Sequence, residues 1–305
     1  RDVRFASPSW QAGAEWRFVD SQSLWLQVGR GFRAPTVSDM YSPTSTTSVT
    51  DAQTGQTLQL NSSVSNIDLE AEKSLNVELG WRWSSDRLLL GASIFRDRYS
   101  NFIEYTNQIQ EVPGGFRTCA TCAIQYQSTY QMPTNSGTVT VKGAELEGRW
   151  LIDDQWSTRL AASYSEGEKA NGDPLESIVP ATAVLGVRYA PSRRWNLNAS
   201  VTHGWGKSAS DAYTTSSAGV VTTPAFVDKA DGFTTVDLYG TWHITDSLRL
   251  SAGVYNLTNQ EYYLWQRVRM INRGSNTLYG YVNDEGIGRY SEPGRNVRAT
   301  LAYSF

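Results

Sequence analysis

Apolar and polar residues alternate with a period of two along much of this 305-residue chain. The last strand-like run shows it up to the C-terminus, where one face would carry Val297, Ala299, Leu301, Tyr303 and Phe305. The same alternation returns in the segments 74–83, 143–152, 236–244 and 248–257. The pattern predicts about eleven strands of roughly 10 to 12 residues, the length of tilted strands that cross a membrane.

The connections between these strands are of two kinds. Short runs of turn-forming residues lie at 19–23, 84–87, 153–156, 191–194 and 245–247. Long polar segments lie at 35–73, 104–137, 167–179, 207–232 and 259–293, and we expect them to be loops. Short turns at one end and long loops at the other are typical of an outer-membrane barrel, with the turns in the periplasm and the loops outside the cell.

Strand length separates this interpretation from a soluble β-sandwich or jelly roll, whose strands also alternate. The apolar face of segment 195–205 has a Trp at each end, and ten steps of about 3.3 Å span about 33 Å. A tilt of about 40° turns that length into about 25 Å of height, which matches the apolar band of a membrane barrel. Strands of soluble sandwiches usually have about 5 or 6 residues. The sequence therefore predicts an all-β fold, a transmembrane antiparallel β-barrel.

The strand number suggests that this barrel is incomplete. Bacterial single-chain barrels have an even number of strands, and barrels of about 22 strands with a plugged lumen exist. We therefore expect residues 1–305 to form the C-terminal half of a 22-stranded barrel. The plug domain and the first half of the barrel are expected to belong to a longer polypeptide outside this sequence.

Two stretches of the chain resemble a known family. Phe32, Arg33, Ala34 and Pro35 form a FRAP strand end, and a degenerate return strand follows with Asn66, Leu69, Glu72 and Ser74. The tail is similar to the closing hairpin of the same family at Trp265, Arg267, Tyr290, Pro293, Gly294 and Arg295. These features resemble TonB-dependent outer-membrane receptors, especially those for haem and haemoglobin.

The resemblance implies a receptor-transporter in the bacterial outer membrane, surrounded by lipid and driven by the TonB complex through its plug. Haem would be the transported ligand, taken from haemoglobin or another haemoprotein, and no permanent cofactor is expected. A ferric-siderophore receptor is the alternative, and a passive porin or a surface adhesin is a second one. The net charge of -3 does not favour nucleic acid as a partner. The long outer segments contain no His for a Ser-His-Asp arrangement, so we do not expect an enzyme.

Two groups of residues are candidates for ligand binding. The first follows the FRAP strand end and consists of Met40 and Tyr41, with Arg33 beside them. The second is an aromatic and basic run, made of Tyr262, Tyr263, Trp265, Arg267 and Arg269. Haem is a flat apolar ring with two propionates, so it should stack on aromatic rings and pair its carboxylates with arginines.

The iron ligand itself is a separate question. Receptors of the resembled family commonly supply a His between the two motifs, but residues 36–73 contain none. Tyr41 is the nearest substitute, since a tyrosine can ligate haem iron. The alternative is that Tyr41 is a loop aromatic packed on its neighbours.

The two cysteines and the C-terminus carry two further hypotheses. Cys119 and Cys122 lie in a segment expected outside the cell, an oxidising location, so a disulfide is the leading interpretation. A zinc site would need more ligands nearby, and a haem-attachment motif would need a His after Cys122. Barrel assembly in the resembled class uses the last strand, so Tyr303 and the terminal Phe305 are expected to form an assembly signal.

Overall fold

The computed structural model describes residues 3–175, 177–208, 215–217, 220–222, 229–269 and 290–305. These residues form nineteen strands and two short helices. In chain order the elements are β1 (Trp10–Val19), β2 (Gln22–Arg33), α1 (Val37–Tyr41), β3 (Ser45–Thr50), β4 (Thr57–Ser63), β5 (Glu72–Ser84), β6 (Leu88–Ser100), β7 (Ile103–Phe116), β8 (Gln125–Asn135), β9 (Val139–Leu151), β10 (Trp156–Lys169), β11 (Thr182–Ser192), β12 (Trp195–Gly204), β13 (Lys207–Ser208), β14 (Thr215–Ser217), β15 (Val220–Thr222), β16 (Lys229–Ala230), β17 (Phe233–His243), β18 (Leu248–Tyr255), α2 (Trp265–Val268) and β19 (Asn296–Tyr303).

Eleven of these strands form one sheet, in the order β1-β2-β5-β6-β9-β10-β11-β12-β17-β18-β19. Neighbouring strands of this sheet follow one another along the chain, except where β3 and β4, β7 and β8, or β13 to β16 are inserted between them. The short connections fall where the turn-forming residues predicted them, for example between β9 and β10, where Asp153 Oδ1 accepts hydrogen bonds from the backbone N–H of Gln155 and Trp156. The predicted number of strands and the all-β fold class are confirmed.

The register of the last six strands of this sheet puts the apolar residues on one face. One row across the strands consists of Trp156, Tyr189, Leu197, Gly240, Ala252 and Ala299. The next row contains Trp195, Trp242, Leu250 and Leu301. Leu301 remains 65% exposed, and Trp242 is also exposed. A continuous exposed apolar face of this kind fits contact with lipid.

The opposite face of the same strands is polar. One row across it consists of Ser157, Arg188, Asn198, Tyr239, Gly253 and Arg298. Arg298 lies over the ring of Tyr255, with its Cζ atom 5.2 Å from the ring centroid. This face therefore suits contact with water or with polar protein groups.

Aromatic rings gather on the apolar face at the end that carries the short turns. The rings of Trp156 and Tyr189 stack at 4.4 Å, and those of Tyr189 and Trp195 meet edge to face at 5.6 Å. Aromatic side chains of this kind are enriched where a membrane meets water. In the part of the chain that the structure describes, no helix has the length and apolarity to cross a bilayer.

The expectation that segments 35–73 and 104–137 are loops is wrong in one respect. They contain a second sheet of four strands in the order β3-β4-β8-β7, with β7 and β8 paired antiparallel. Many residues of these strands are Thr, Ser, Gln and Asn, and their apolar residues are too few to give the continuous alternation of the main sheet. Backbone hydrogen bonding between neighbouring strands organises them nonetheless.

This second sheet belongs to a compact unit made of Arg1–Gln11, Gly29–Asn76 and Arg98–Val139. One small core of the unit contains Met40, Leu69 and Ile103, with Phe5 packed against them. Another contains Leu60, Val112 and Phe116, with Val49 and Leu58 at its border. The remaining residues, Ala12–Val28, Val77–Asp97 and Thr140–Phe305, form the second unit.

Candidate ligand-binding site

Helix α1 begins directly after the FRAP strand end. Thr36 is its N-cap, and its hydroxyl accepts a hydrogen bond from the backbone N–H of Asp39 at 3.1 Å. The Asp39 carboxylate accepts one from the backbone N–H of Thr36 at 3.0 Å, which completes a capping box. A helix of five residues is too short to be stable by itself, so its position depends on contacts with the rest of the unit.

Asp39 supplies two of those contacts. Its Oδ1 atom accepts a hydrogen bond from the hydroxyl of Tyr105 on β7 at 2.9 Å, and its backbone carbonyl accepts one from the N–H of Asn66 at 2.9 Å. Burial works against the charge of Asp39, but the hydrogen bonds from Thr36 and Tyr105 outweigh it and hold the pKa of this carboxyl below its usual value. The same hydrogen bond raises the pKa of Tyr105. At neutral pH the ionised carboxylate of Asp39 therefore holds α1 against β7 of the four-stranded sheet.

The two family motifs meet in a partly buried ion pair within this unit. Arg33 donates from Nε and Nη2 to the two carboxylate oxygens of Glu72, at 2.5 and 2.6 Å. Glu72 also accepts a hydrogen bond from the backbone N–H of Ile103 at 2.7 Å, and its side chain is only 7% exposed. One carboxylate thus joins the end of β2, the start of β5 and the start of β7.

The first group of predicted ligand-binding residues is divided by this arrangement. Met40 is 3% exposed and packs in the small core with Leu69 and Ile103. Tyr41, the next residue, is 48% exposed at the end of α1. Arg33 is engaged by Glu72. Arg33 keeps about half of its side chain exposed despite this ion pair, so Arg33 and Tyr41 are the exposed members of the group.

The second group is packed rather than arranged as an open row. Tyr262 stacks on Phe233 with ring centroids 4.1 Å apart, and burial raises the pKa of Tyr262. Trp265 is 2% exposed, with the Lys207 ammonium 5.6 Å from its ring centroid. Residues of this group therefore fix the position of α2.

The polar members of the second group have partners or caps. Arg267 Nε lies 3.1 Å from a carboxylate oxygen of Glu292, and the Tyr263 hydroxyl donates to Glu261 at 3.0 Å. Arg269 follows α2 as its C-cap residue. Glu261 directly precedes the run in sequence, whereas Glu292 comes from a distant part of the chain, and Glu292 balances the charge of Arg267.

A disulfide and a turn that the sequence analysis missed organise two connections of the four-stranded sheet. Cys119 and Cys122 form a disulfide within the loop that joins β7 to β8. In the β3–β4 turn, Asp51 accepts hydrogen bonds from the hydroxyl and N–H of Thr54, at 2.7 and 2.6 Å, and from the N–H of Arg117 at 2.7 Å. These bonds, chiefly those from Thr54, lower the pKa of Asp51 to about 2. The turn-forming run from Asp51 to Gly55 was the available sequence signal.

Metal-binding clusters do not occur in the described part of the chain, where no three His, Cys, Asp or Glu side chains are grouped around a common point.

Comparison with known proteins identifies the family. Residues 2–257 match the family model described as TonB dependent receptor-like, beta-barrel. The chain belongs to this family. Members of this family are receptors of the outer membrane that work with TonB, and the eleven-stranded sheet is part of such a transmembrane barrel.

Two named relatives are described as hemoglobin-haptoglobin proteins. A hemoglobin-haptoglobin utilization protein B from Neisseria meningitidis serogroup A is 29% identical over 97% of this chain and 37% of its own length. A hemoglobin-haptoglobin-binding protein A from Haemophilus influenzae is 28% identical over 99% of this chain and 28% of its own length. The chain therefore spans about a third of the length of these relatives.

Solved structures share the fold. A mutant of the ferric enterobactin receptor from Pseudomonas aeruginosa, in complex with enterobactin, matches with a TM-score of 0.73 at 22% identity. The match covers 97% of this chain and 40% of that one. The copper transporter OprC matches with a TM-score of 0.66 at 21% identity, over 97% of this chain and 39% of that one.

Proposed function

We propose that residues 1–305 are the C-terminal part of an outer-membrane receptor that takes up haem iron with energy supplied through TonB. The haem would come from haemoglobin or another haemoprotein. The observation that supports this best is the similarity to hemoglobin-haptoglobin proteins over 97 to 99% of the chain. The plug domain that contacts TonB, and the first half of the barrel, would lie outside this sequence.

Tyr41 is the residue that we propose as a ligand of the haem iron. It is exposed at the end of a helix whose position is fixed by Met40 in the core and by Asp39 at Tyr105. A backbone position that is fixed before the ligand binds lowers the ordering cost of binding, which favours affinity. The phenolate can bind ferric haem, and the aromatic ring can contact the edge of the macrocycle.

The test uses the full-length receptor, with its plug, purified and mixed with haem. Tyr41→Phe should keep binding but shift the Soret and charge-transfer bands, because the phenolate ligand is lost. Tyr41→Ala should also weaken binding by about 1 to 3 kcal/mol, the scale of a buried aromatic contact. Tyr126→Phe is the matched control, since Tyr126 is also an exposed tyrosine of the same unit.

The outcomes distinguish haem binding by the receptor from ligation of the iron by Tyr41. If the purified receptor shows no haem spectrum, the proposed ligand is wrong. If the spectrum appears and ignores Tyr41, haem uptake stands and the iron ligand lies elsewhere, for example in the plug.

A ferric siderophore is the second candidate ligand. The enterobactin receptor fold matches with a TM-score of 0.73, and an aromatic surface such as Tyr41 would also suit a catecholate. Binding of ferric enterobactin without binding of haem would favour this candidate. A passive porin or an adhesin would show no dependence of uptake on the proton-motive force.

A further inference from the structure

The disulfide in the connection from β7 to β8 lies at the surface of the molecule. Its first cysteine, Cys119, is exposed, whereas Cys122 is half-buried. No free cysteine occurs in the described part of the chain, so these two sulfurs are bonded only to each other. A thiol that arrives from the solvent therefore meets one accessible sulfur, Cys119 Sγ, and one shielded sulfur, Cys122 Sγ.

This disulfide closes a very small loop. The two cysteines are three positions apart, and the backbone N–H of Cys122 also donates to the carbonyl of Cys119 at 3.1 Å. A disulfide across a short loop restricts the unfolded chain less than one across a long loop, so it adds less to the stability of the fold. Exposed disulfides are also the ones that external thiols reduce most readily. Loop size and exposure both indicate a bond that can be opened without unfolding the protein.

The chain before the disulfide is held in place by other contacts. Phe116 is 6% exposed in one of the two small cores. The backbone N–H of Arg117 donates to Asp51 at 2.7 Å, and the carbonyl of Arg117 accepts a hydrogen bond from the N–H of Ala52 at 3.0 Å. None of these contacts involves a sulfur atom. Opening the disulfide should therefore leave the core and the link to the β3–β4 turn intact.

The chain between Arg117 and the start of β8 depends more on the closed bond. Residues 118–124 lie in neither a strand nor a helix. Ile124 returns to β7 and lies against Gly115, where the absence of a side chain leaves room for its Cγ2 atom. Ile124 is nevertheless 39% exposed, so its packing is weak. Opening the disulfide should therefore free residues 118–124 and leave the strands on both sides paired.

We propose that the Cys119–Cys122 disulfide is a thiol–disulfide exchange site that reacts with low-molecular-weight thiols from outside the cell. The thiolate of the small molecule forms a bond to Cys119 Sγ. The bond between the two cysteines breaks, its electron pair leaves on Cys122 Sγ, and that thiolate takes a proton from water. In the return step the Cys122 thiolate attacks Cys119 Sγ and expels the small thiol, which restores the disulfide. The cycle needs no oxidant or reductant besides the small thiol.

The experiment incubates the oxidised full-length receptor with glutathione, alkylates free thiols with N-ethylmaleimide and maps both modifications by peptide mass spectrometry. Glutathione should occupy Cys119 roughly tenfold more than Cys122, because access decides which sulfur is attacked. Cys122 should carry the maleimide in the same peptide. Cys122→Ser should keep the glutathione on Cys119 after free glutathione is removed, whereas the unaltered receptor should release it. Cys119→Ser is the matched control, and its half-buried Cys122 thiol should take up less glutathione.

Hydrogen–deuterium exchange of the same samples shows how far the effect extends. With glutathione bound, exchange should rise in peptides that cover residues 118–124. It should stay unchanged at Val112 and Phe116, because the core that contains them does not depend on the disulfide.

Three results would overturn the proposal. The first is the absence of a glutathione adduct on either cysteine. The second is an adduct that favours Cys122 or is shared equally. The third is faster exchange at Phe116, which would mean that the disulfide stabilises the whole unit. All three are measured on the unaltered receptor, so they remain decisive if a serine variant does not fold. No transported ligand enters the experiment, so this proposal can fail separately from the proposed function.

Discussion

Replacing Arg33 by Ala should weaken the contact through which Glu72 joins β2, β5 and β7. The change removes both hydrogen bonds from the guanidinium and leaves the Glu72 carboxylate with the N–H of Ile103 as its remaining donor. Glu72 is buried, so it cannot exchange the lost partner freely for water. The expected effect is easier opening of the contact between β5 and the start of β7.

The size of the effect follows from the burial of the two side chains. Removing one partner of a buried ion pair costs about 3 to 5 kcal/mol. The Arg33 side chain is 53% exposed, so water can replace part of the lost hydrogen bonding to Glu72. We therefore expect the free energy of opening this contact to fall by about 2 kcal/mol. That free energy corresponds to roughly 30-fold faster exchange of the Ile103 amide hydrogen.

Hydrogen–deuterium exchange of the folded receptor, followed in peptides that contain Ile103, measures this directly. Arg117→Ala is the matched control, because Arg117 acts in this unit through its backbone atoms. The double variant Arg33→Ala with Glu72→Gln should be less destabilised than Arg33→Ala alone, since no unpaired buried charge remains. Unchanged exchange in Arg33→Ala, or a double variant worse than the single one, would refute the reasoning.

Three further predictions concern the outer turn, the C-terminus and the topology. The pKa of Asp51 is lowered to about 2, so the stability that its carboxylate contributes should be complete above the ordinary pKa of about 3.9 and lost as the pH falls through about 2. Exchange of the Thr54 amide hydrogen in the acid range would show this loss. Loss of protection already near pH 6 would contradict the prediction. Deleting Phe305 should lower the amount of heat-modifiable barrel in the outer membrane, and normal amounts would remove the proposed assembly signal. Cysteine-directed labels on intact cells should reach positions Thr54 and Asn135 but not Asp86, Asp154 or Asp246. One reversed pair would show that the assignment of loops to the outside and turns to the periplasm is wrong. Asp211, a third outer position expected from sequence, lies outside the described residues.

The main sheet could be predicted because lipid leaves a simple signal. Each membrane strand needs an apolar residue at every second position, and rows such as Trp195, Trp242, Leu250 and Leu301 repeat that requirement from strand to strand. The strands β3, β4, β7 and β8 lacked a continuous signal of this kind, because polar residues interrupt the apolar positions that fill their two small cores. Their order depends on contacts distant in sequence, such as Asp51 with Arg117.

The candidate site was predicted only in part, for a related reason. Met40 and Tyr41 are neighbours in sequence, but the turn of α1 sends one into the core and leaves the other exposed. The aromatic and basic run at 262–269 looked like an open surface, yet Trp265 packs under Lys207 and Arg267 pairs with Glu292. The sequence shows which side chains could bind a ligand. It does not show which of them are already engaged by residues from distant parts of the chain.

Uptake of haem iron by living cells tests the central claim most directly. A strain that lacks the receptor should fail to grow with haemoglobin as its sole iron source, and the full-length receptor should restore growth. Restored growth should disappear when TonB is deleted or the proton-motive force is removed. Growth on haemoglobin that continues without the receptor, or receptor-dependent uptake that persists without TonB, would contradict the account.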